Sequence, residues 1–323
     1  MHDLPFEQLC SRCGLGKMTA NPIPLTGGFL HKMFRIETEK GIFAAKALDR
    51  GIMSRPAAPG NFRFSEEVAR AALQAGLPVL SAIPADGDIL ISTGEQYWML
   101  FDWQEGSALR PDEVTVMHAR RIGSILGRLH TLLPAADESP DVPSYDWERF
   151  TGQKMPWSKK FEQMLPQILQ WTAEGCEALL PLSRDRVLSH RDMDPKNVLW
   201  HKGEPCIIDW EAAGPVHPIQ EMCETALCWS CNGQNEENLA AFIEGYLQFV
   251  KPDPLLAGHA AAAVILGRLD WLYYNLGRSL GAEGADEASR AVGVGQVIDT
   301  LSALEVLCGT LPLMRKYCLS EKE

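Results

Sequence analysis

The chain has 323 residues, enough for two lobes that each bury a core. Apolar residues make up 46% and charged residues 22%, the balance of an ordinary globular protein. The formal net charge of −12 argues against nucleic acid, whose phosphate backbone calls for a basic face, and suits either a cationic small molecule or simple solubility.

No run approaches the roughly 20 uninterrupted apolar residues that cross a bilayer, so no membrane partner is expected. The opening Met1-His2-Asp3-Leu4-Pro5-Phe6-Glu7 lacks the basic and apolar regions of a secretory signal. Nine cysteines without such a signal point to thiols in a reducing cytoplasm. Cys10 with Cys13 and Cys228 with Cys231 have the spacing of zinc ligands, but both pairs fall in helix-like stretches. Buried thiols are the expected role.

The predicted elements begin with a short helix over about 3–14, stopped at Gly14-Leu15-Gly16. Strand-like alternation follows over 22–48, with turns at Thr26-Gly27-Gly28 and Glu39-Lys40-Gly41. A loop at Arg55-Pro56-Ala57-Ala58-Pro59-Gly60 leads to a helix over about 63–75, ended by Gly76 and Pro78. Strands near 89–92 and 96–102 complete an opening domain, 1–105.

Beyond Gly106 the pattern turns helical, with apolar residues at helical spacing over 112–132. Further helices are predicted over about 158–180, 218–230, 236–249, 256–281 and 286–308, and Pro134 to Pro143 reads as an exposed connector. A strand pair near 198–200 and 206–209 brackets the most informative run, Val187-Leu188-Ser189-His190-Arg191-Asp192-Met193-Asp194-Pro195-Lys196-Asn197, trailed by Ile207-Ile208-Asp209-Trp210. An aspartate, an asparagine and a second aspartate at this spacing meet the needs of phosphoryl transfer: a group for the acceptor hydroxyl and two oxygen ligands for magnesium.

The layout resembles the aminoglycoside phosphotransferase and choline kinase-like family, whose fold is that of protein kinases. The resemblance spans nearly the whole chain and is most specific at 187–211. It implies an α+β, bilobal protein kinase-like fold: a small N-terminal antiparallel sheet with one key helix, and a larger, mainly helical lobe over 106–323. It implies ATP and Mg2+ as cofactors, with Gly27 and Gly28 covering the phosphates and Lys46 contacting them. Lys46 is expected to pair with a helix glutamate; Glu66 is chosen over Glu67 because it shares a face with Ala69 and Leu73. Tyr97 to Gly106 matches the interlobe linker, with Phe101 behind the adenine and backbone groups of Asp102 and Gln104 on its edge.

By the same resemblance His190 is structural, Asp192 is the catalytic base or the group that orients the acceptor hydroxyl, and Asn197 and Asp209 hold the metal. The family often shows His-Gly-Asp-Leu-His-Pro-Gly-Asn; here Arg191, Asp194 and Lys196 depart from it. Asp209 is followed by Trp210-Glu211 rather than Phe-Gly, and no Ala-Pro-Glu element closes an activation segment, which disfavours a protein kinase. Asp194, Glu211, Glu221 and Asp270 are the acidic candidates for binding the acceptor, a small-molecule alcohol that is aminoglycoside-like or otherwise amine-bearing. A choline, ethanolamine, thiamine or homoserine kinase is the alternative, and a nucleotide-binding regulator without transfer activity is a third. The oligomeric state is left open by the sequence.

Overall fold

The computed structural model describes residues 4–25, 31–137, 139–282 and 286–319. In chain order the described strands are β1 (Ile23–Leu25), β2 (Lys32–Thr38), β3 (Gly41–Ala47), β4 (Ile91–Thr93), β5 (Gln96–Asp102), β6 (Ser107–Ala108), β7 (Val187–Ser189), β8 (Val198–His201), β9 (Glu204–Ile207) and β10 (Gly214–Val216). The helices are α1 (Leu4–Arg12), α2 (Arg50–Met53), α3 (Ala58–Gln74), α4 (Val116–His130), α5 (Ser158–Leu179), α6 (Pro218–Cys228), α7 (Glu236–Tyr246), α8 (Ala257–Ser279) and α9 (Glu287–Leu319). An N-terminal antiparallel sheet is thus followed by a mainly helical region.

Two compact units result, Met1–Arg110 with Ser189–Gly214, and Pro111–Leu188 with Pro215–Glu323. The first unit reaches past the predicted boundary at 105/106 and takes in Ser189–Gly214, which was predicted within the second domain. Backbone pairing is the reason. β8 lies between β6 and β9 in one small sheet. The Ile207 amide donates to the Pro78 carbonyl at 2.8 Å, and the Ile207 carbonyl accepts from Leu80 at 2.9 Å.

The main sheet of the first unit is antiparallel in the order β1-β2-β3-β5-β4. β3 is buried from Phe43 to Ala47, because apolar clusters cover the sheet on both faces, and Lys46 is the charged residue within that run. Phe6, Leu9 and Cys10 of α1 pack with Ile36, Phe43, Ala45, Trp98 and Leu100. Phe62 of α3 packs with Leu48, Met53, Ile89, Leu90 and Met99 on the opposite cluster. α3 starts earlier than the predicted residue 63 because Pro59 fits its first turn, where no backbone N–H is required.

In the second unit α4 and α7 approach closely through glycines. A Cβ at Gly123 would collide with the Phe242 carbonyl, and one at Gly245 with the Arg120 carbonyl. α8 packs against α5, α6 and α9. Residues Pro254–Ser279 and Glu287–Thr310 are long and apolar enough by mean hydropathy to cross a membrane, although neither is an uninterrupted apolar run. Leu269, Leu272 and Leu276 of α8 and Val297, Leu301 and Leu304 of α9 are buried, so each helix turns an apolar stripe inward.

Cys10 and Cys223 are buried, and among the described residues the cysteines form no disulfide. Burial pushes the Cys13 thiol up to about 11, which keeps it protonated. No group of three or more His, Cys, Asp or Glu side chains is placed to hold a metal ion among the described residues.

Candidate active site

The run around His190 folds into a loop held by its own imidazole. The Asp192 amide donates to His190 Nδ1 at 3.1 Å, which leaves the ring proton on Nε2, 3.0 Å from the Ile208 carbonyl. His190 is fully buried and meets Trp210 edge-on, with ring centroids 4.7 Å apart. One side chain thus ties the loop that carries Asp192 to the residue before Asp209. Arg191 has a φ of 64°, a left-handed conformation that costs a side-chain-bearing residue about 1–2 kcal/mol. This explains why glycine is common at that position in the family the sequence resembles.

Pro195 starts a short 3-10 turn that ends at Asn197. From there Asn197 Nδ2 donates to the Asp192 carbonyl at 2.8 Å and to Asp192 Oδ2 at 2.9 Å. The Ile208 amide donates to the Asn197 carbonyl at 2.9 Å, fixing the approach of Asp209. Lys196 Nζ lies 3.2 Å from Asp192 Oδ1 and 3.6 Å from Asp194 Oδ2. Burial, and then the neighbouring Asp194 charge, raise the pKa of Asp192, with Lys196 acting in the opposite direction.

Asp209 also sits in left-handed backbone, with φ 61° and ψ 65°. Such strain in a residue with a side chain clusters at functional positions. Its Oδ1 lies 3.0 Å from Lys46 Nζ, and Lys46 also pairs with Glu211. Lys46 stands on β3 opposite Met33 of β2 and Met99 of β5. Burial would pull its ammonium pKa down, but the Asp209 and Glu211 carboxylates outweigh it and the pKa is raised. Glu211 is likewise subject to burial, which favours its neutral form, and is brought below the usual carboxylate range by His31 and Lys46.

The expected Lys46–Glu66 pair is not formed. Glu66 faces inward, as its helix face predicts, but Oε2 accepts from the Ala82 amide at 2.8 Å and the Ser81 hydroxyl at 3.1 Å. Two donors at the start of the segment after α3 satisfy the carboxylate where it is buried, and burial raises its pKa. Glu221, proposed from the sequence as an acceptor ligand, is also corrected. It is buried in the second unit with Oε2 2.9 Å from His130 Nε2, and His130 Nδ1 lies 2.8 Å from the Tyr246 hydroxyl. Asp270 is exposed on α8 and accepts from the Tyr145 hydroxyl at 3.4 Å. Asp194 lies beside Lys196, and Glu211 beside Lys46 and His31 rather than in an open acidic patch.

Gly27 and Gly28 lie outside the described residues. Phe101, half-buried near the end of β5, packs on the cluster of Leu48, Phe62 and Met99. Asp102 pairs with Phe43, and Gln104 is half-buried in the stretch that follows. Gly106 has a φ of 128°, and a Cβ there would come within 2.7 Å of the Trp200 carbonyl. The linker glycine is therefore required by the approach of β8. Sequence reasoning passed over His31, hidden among the residues after the glycine turn, and treated Lys196 only as a departure from a family pattern.

The donor set fits a hard divalent cation. Asn197 spends both amide protons on Asp192, which leaves its carboxamide oxygen as the remaining polar atom, and the Asp209 side chain is 44% exposed. A neutral oxygen and a carboxylate are the ligand types that suit magnesium on a nucleotide.

A sequence profile described as a phosphotransferase enzyme family matches residues 22–262. Comparison with curated proteins finds no match. Among solved structures, spectinomycin phosphotransferase in complex with ADP and spectinomycin is similar at 13% identity and a TM-score of 0.67, covering 90% of this chain and 93% of that one. Amicoumacin kinase in complex with AMP-PNP and Ca2+ is similar at 14% identity and a TM-score of 0.63, covering 94% and 96%. A choline/ethanolamine kinase family protein from Mesorhizobium loti is similar at 16% identity and a TM-score of 0.59, covering 92% and 93%. At these identities the likeness is one of fold, and the fold is the kinase-like one expected from the sequence.

Proposed function

This chain belongs to the phosphotransferase enzyme family, and from that premise we propose that it transfers the γ-phosphate of ATP to a hydroxyl of a small, amine-bearing molecule. The observation that carries the reading is the pairing of Asp192 with Asn197 in the same compact unit as Lys46 and Asp209. Magnesium, held by Asn197 and Asp209, would neutralise charge on the phosphates. Lys46 would bind phosphate oxygens, and the backbone of 102–104 would bind the adenine edge. Asp192 orients the acceptor hydroxyl and takes its proton. The acceptor oxygen forms the new bond to the γ-phosphorus as the bond to the β–γ bridging oxygen breaks, and ADP leaves.

Two structural neighbours, one in complex with ADP and spectinomycin and one with AMP-PNP and Ca2+, support a nucleotide and a divalent cation here. The net charge of −12 supports an amine-bearing acceptor, since it attracts cations. The short run from Asp209 to the start of α6 at Pro218 has no room for an activation segment, which speaks against a protein substrate. The test is magnesium-dependent ADP release measured over a panel of amino sugars, amino alcohols and unmodified sugars. Acceptor-stimulated release with one class of amine-bearing alcohol is expected. No magnesium-dependent ATP turnover with any acceptor would refute the reading.

A further inference from the structure

In the first unit a chain of hydrogen bonds runs from a helix cap to Lys46. The Asp49 carboxylate accepts from the Ile52 amide at 3.0 Å and caps α2, which fixes the backbone of Asp49. The Asp49 amide then donates to His31 Nδ1 at 2.9 Å. With Nδ1 used as an acceptor, the ring carries its proton on Nε2, and this atom is 3.1 Å from Glu211 Oε2. His31 is 7% exposed, and its ring meets Phe62 of α3 edge-on at 5.8 Å. Glu211 completes the chain with its ion pair to Lys46. α3 packs on the Trp210–Ala212 turn that carries Glu211, so the carboxylate is held from its backbone as well.

We propose that Glu211, itself oriented by His31, is the positioning carboxylate for Lys46, in the place where a helix glutamate was expected. The proposal rests on the phosphotransferase reading of the site. Glu66 is committed to Ala82 and Ser81. Asp209 is shared between Lys46 and the proposed metal. An ammonium has three donors, of which Asp209 and Glu211 take two, leaving one for a phosphate oxygen. When Asp209 turns to a cation, Glu211 is the remaining anchor on a flexible four-carbon stem. His31 keeps that anchor in one orientation.

The experiment measures affinity for magnesium-AMP-PNP by calorimetry, and KM and kcat for ATP, in the wild type, His31→Leu, His31→Gln and Glu211→Gln. Loss of a hydrogen bond to a charged group should raise the dissociation constant and the KM for ATP about tenfold in His31→Leu and Glu211→Gln, with a smaller change in kcat. His31→Gln retains an N–H for Glu211 and should recover most of the affinity, which a purely structural role would not produce. A wild-type protein that binds magnesium-AMP-PNP beside a His31→Leu variant of equal affinity overturns the proposal alone. A wild type that binds no magnesium nucleotide overturns the functional reading and the proposal with it. Should His31→Leu not fold, the wild-type long-range 1H–15N spectrum decides. The Nε2–H tautomer of His31, with a resonance that moves on adding magnesium-ADP, is expected; an Nδ1–H tautomer, or a resonance unmoved at saturation, overturns it.

Discussion

Asn197 gives both of its amide protons to Asp192, one to the backbone carbonyl at 2.8 Å and one to the carboxylate at 2.9 Å. The asparagine therefore has two tasks at once. It holds the aspartate in place, and its own oxygen is left as the ligand atom proposed for the metal. A carboxylate at position 197 would supply the oxygen but not the donors, which gives a physical reason for asparagine here.

Asn197→Ala removes both tasks together. Phosphate transfer should fall by about two orders of magnitude or more, in line with losing an oriented acid–base group. The magnesium concentration for half-maximal activity should rise in the same variant. A magnesium titration of ADP release reads both, and an unchanged magnesium requirement would remove Asn197 from the proposed ligand set.

Glu66→Gln tests the buried carboxylate on α3. Burial raises the folded-state pKa of Glu66 above its ordinary 4.5. In that window the folded state binds more protons than the unfolded chain, so this group's contribution to stability is fullest below 4.5 and is lost as pH rises through the raised value. The amide oxygen of glutamine still accepts from Ala82 and Ser81 without a charge to bury. Denaturant unfolding from pH 4 to 8 should thus show Glu66→Gln gaining stability relative to the wild type as pH rises. A constant difference across the range would contradict the assignment.

Gly123→Ala tests the contact of α4 with α7. The added methyl meets the Phe242 carbonyl, a backbone atom that cannot turn aside. Overpacking of this kind costs about 1–3 kcal/mol. The thermal unfolding midpoint should fall by roughly 2–4 °C per kcal/mol, while the proposed affinity for magnesium nucleotide changes far less.

Much of this was legible in the sequence because it is local. The spacing of His190, Asp192 and Asn197 fixes a loop whose hydrogen bonds close within a few residues, and helical periodicity placed α4, α5 and α8 within a few residues of their ends. The partner of Lys46 was not legible. Glu66 faces inward as its helix face requires, but facing inward does not say which donor it meets, and the Ala82 amide and Ser81 hydroxyl come from a segment without periodicity. His31 and Glu211 are 180 residues apart, and no local pattern joins them. Glu221 was a candidate for binding the acceptor, yet His130 from α4 pairs with it in the interior, a partner 91 residues away that no local pattern signals. The grouping of Ser189–Gly214 with the N-terminal sheet depends on Ile207 pairing with the backbone of Pro78 and Leu80, which no composition signals.

The most direct measurement follows the γ-phosphate itself. Wild-type protein and Asp192→Ala are incubated with γ-labelled ATP, magnesium and the best amine-bearing alcohol of the panel, and label on the acceptor is counted while AMP-PNP affinity is measured in parallel. The account predicts labelled acceptor from the wild type, a loss of about 10²–10⁴-fold in Asp192→Ala, and nearly equal nucleotide affinity in the two. Transfer by Asp192→Ala at the wild-type rate would contradict it.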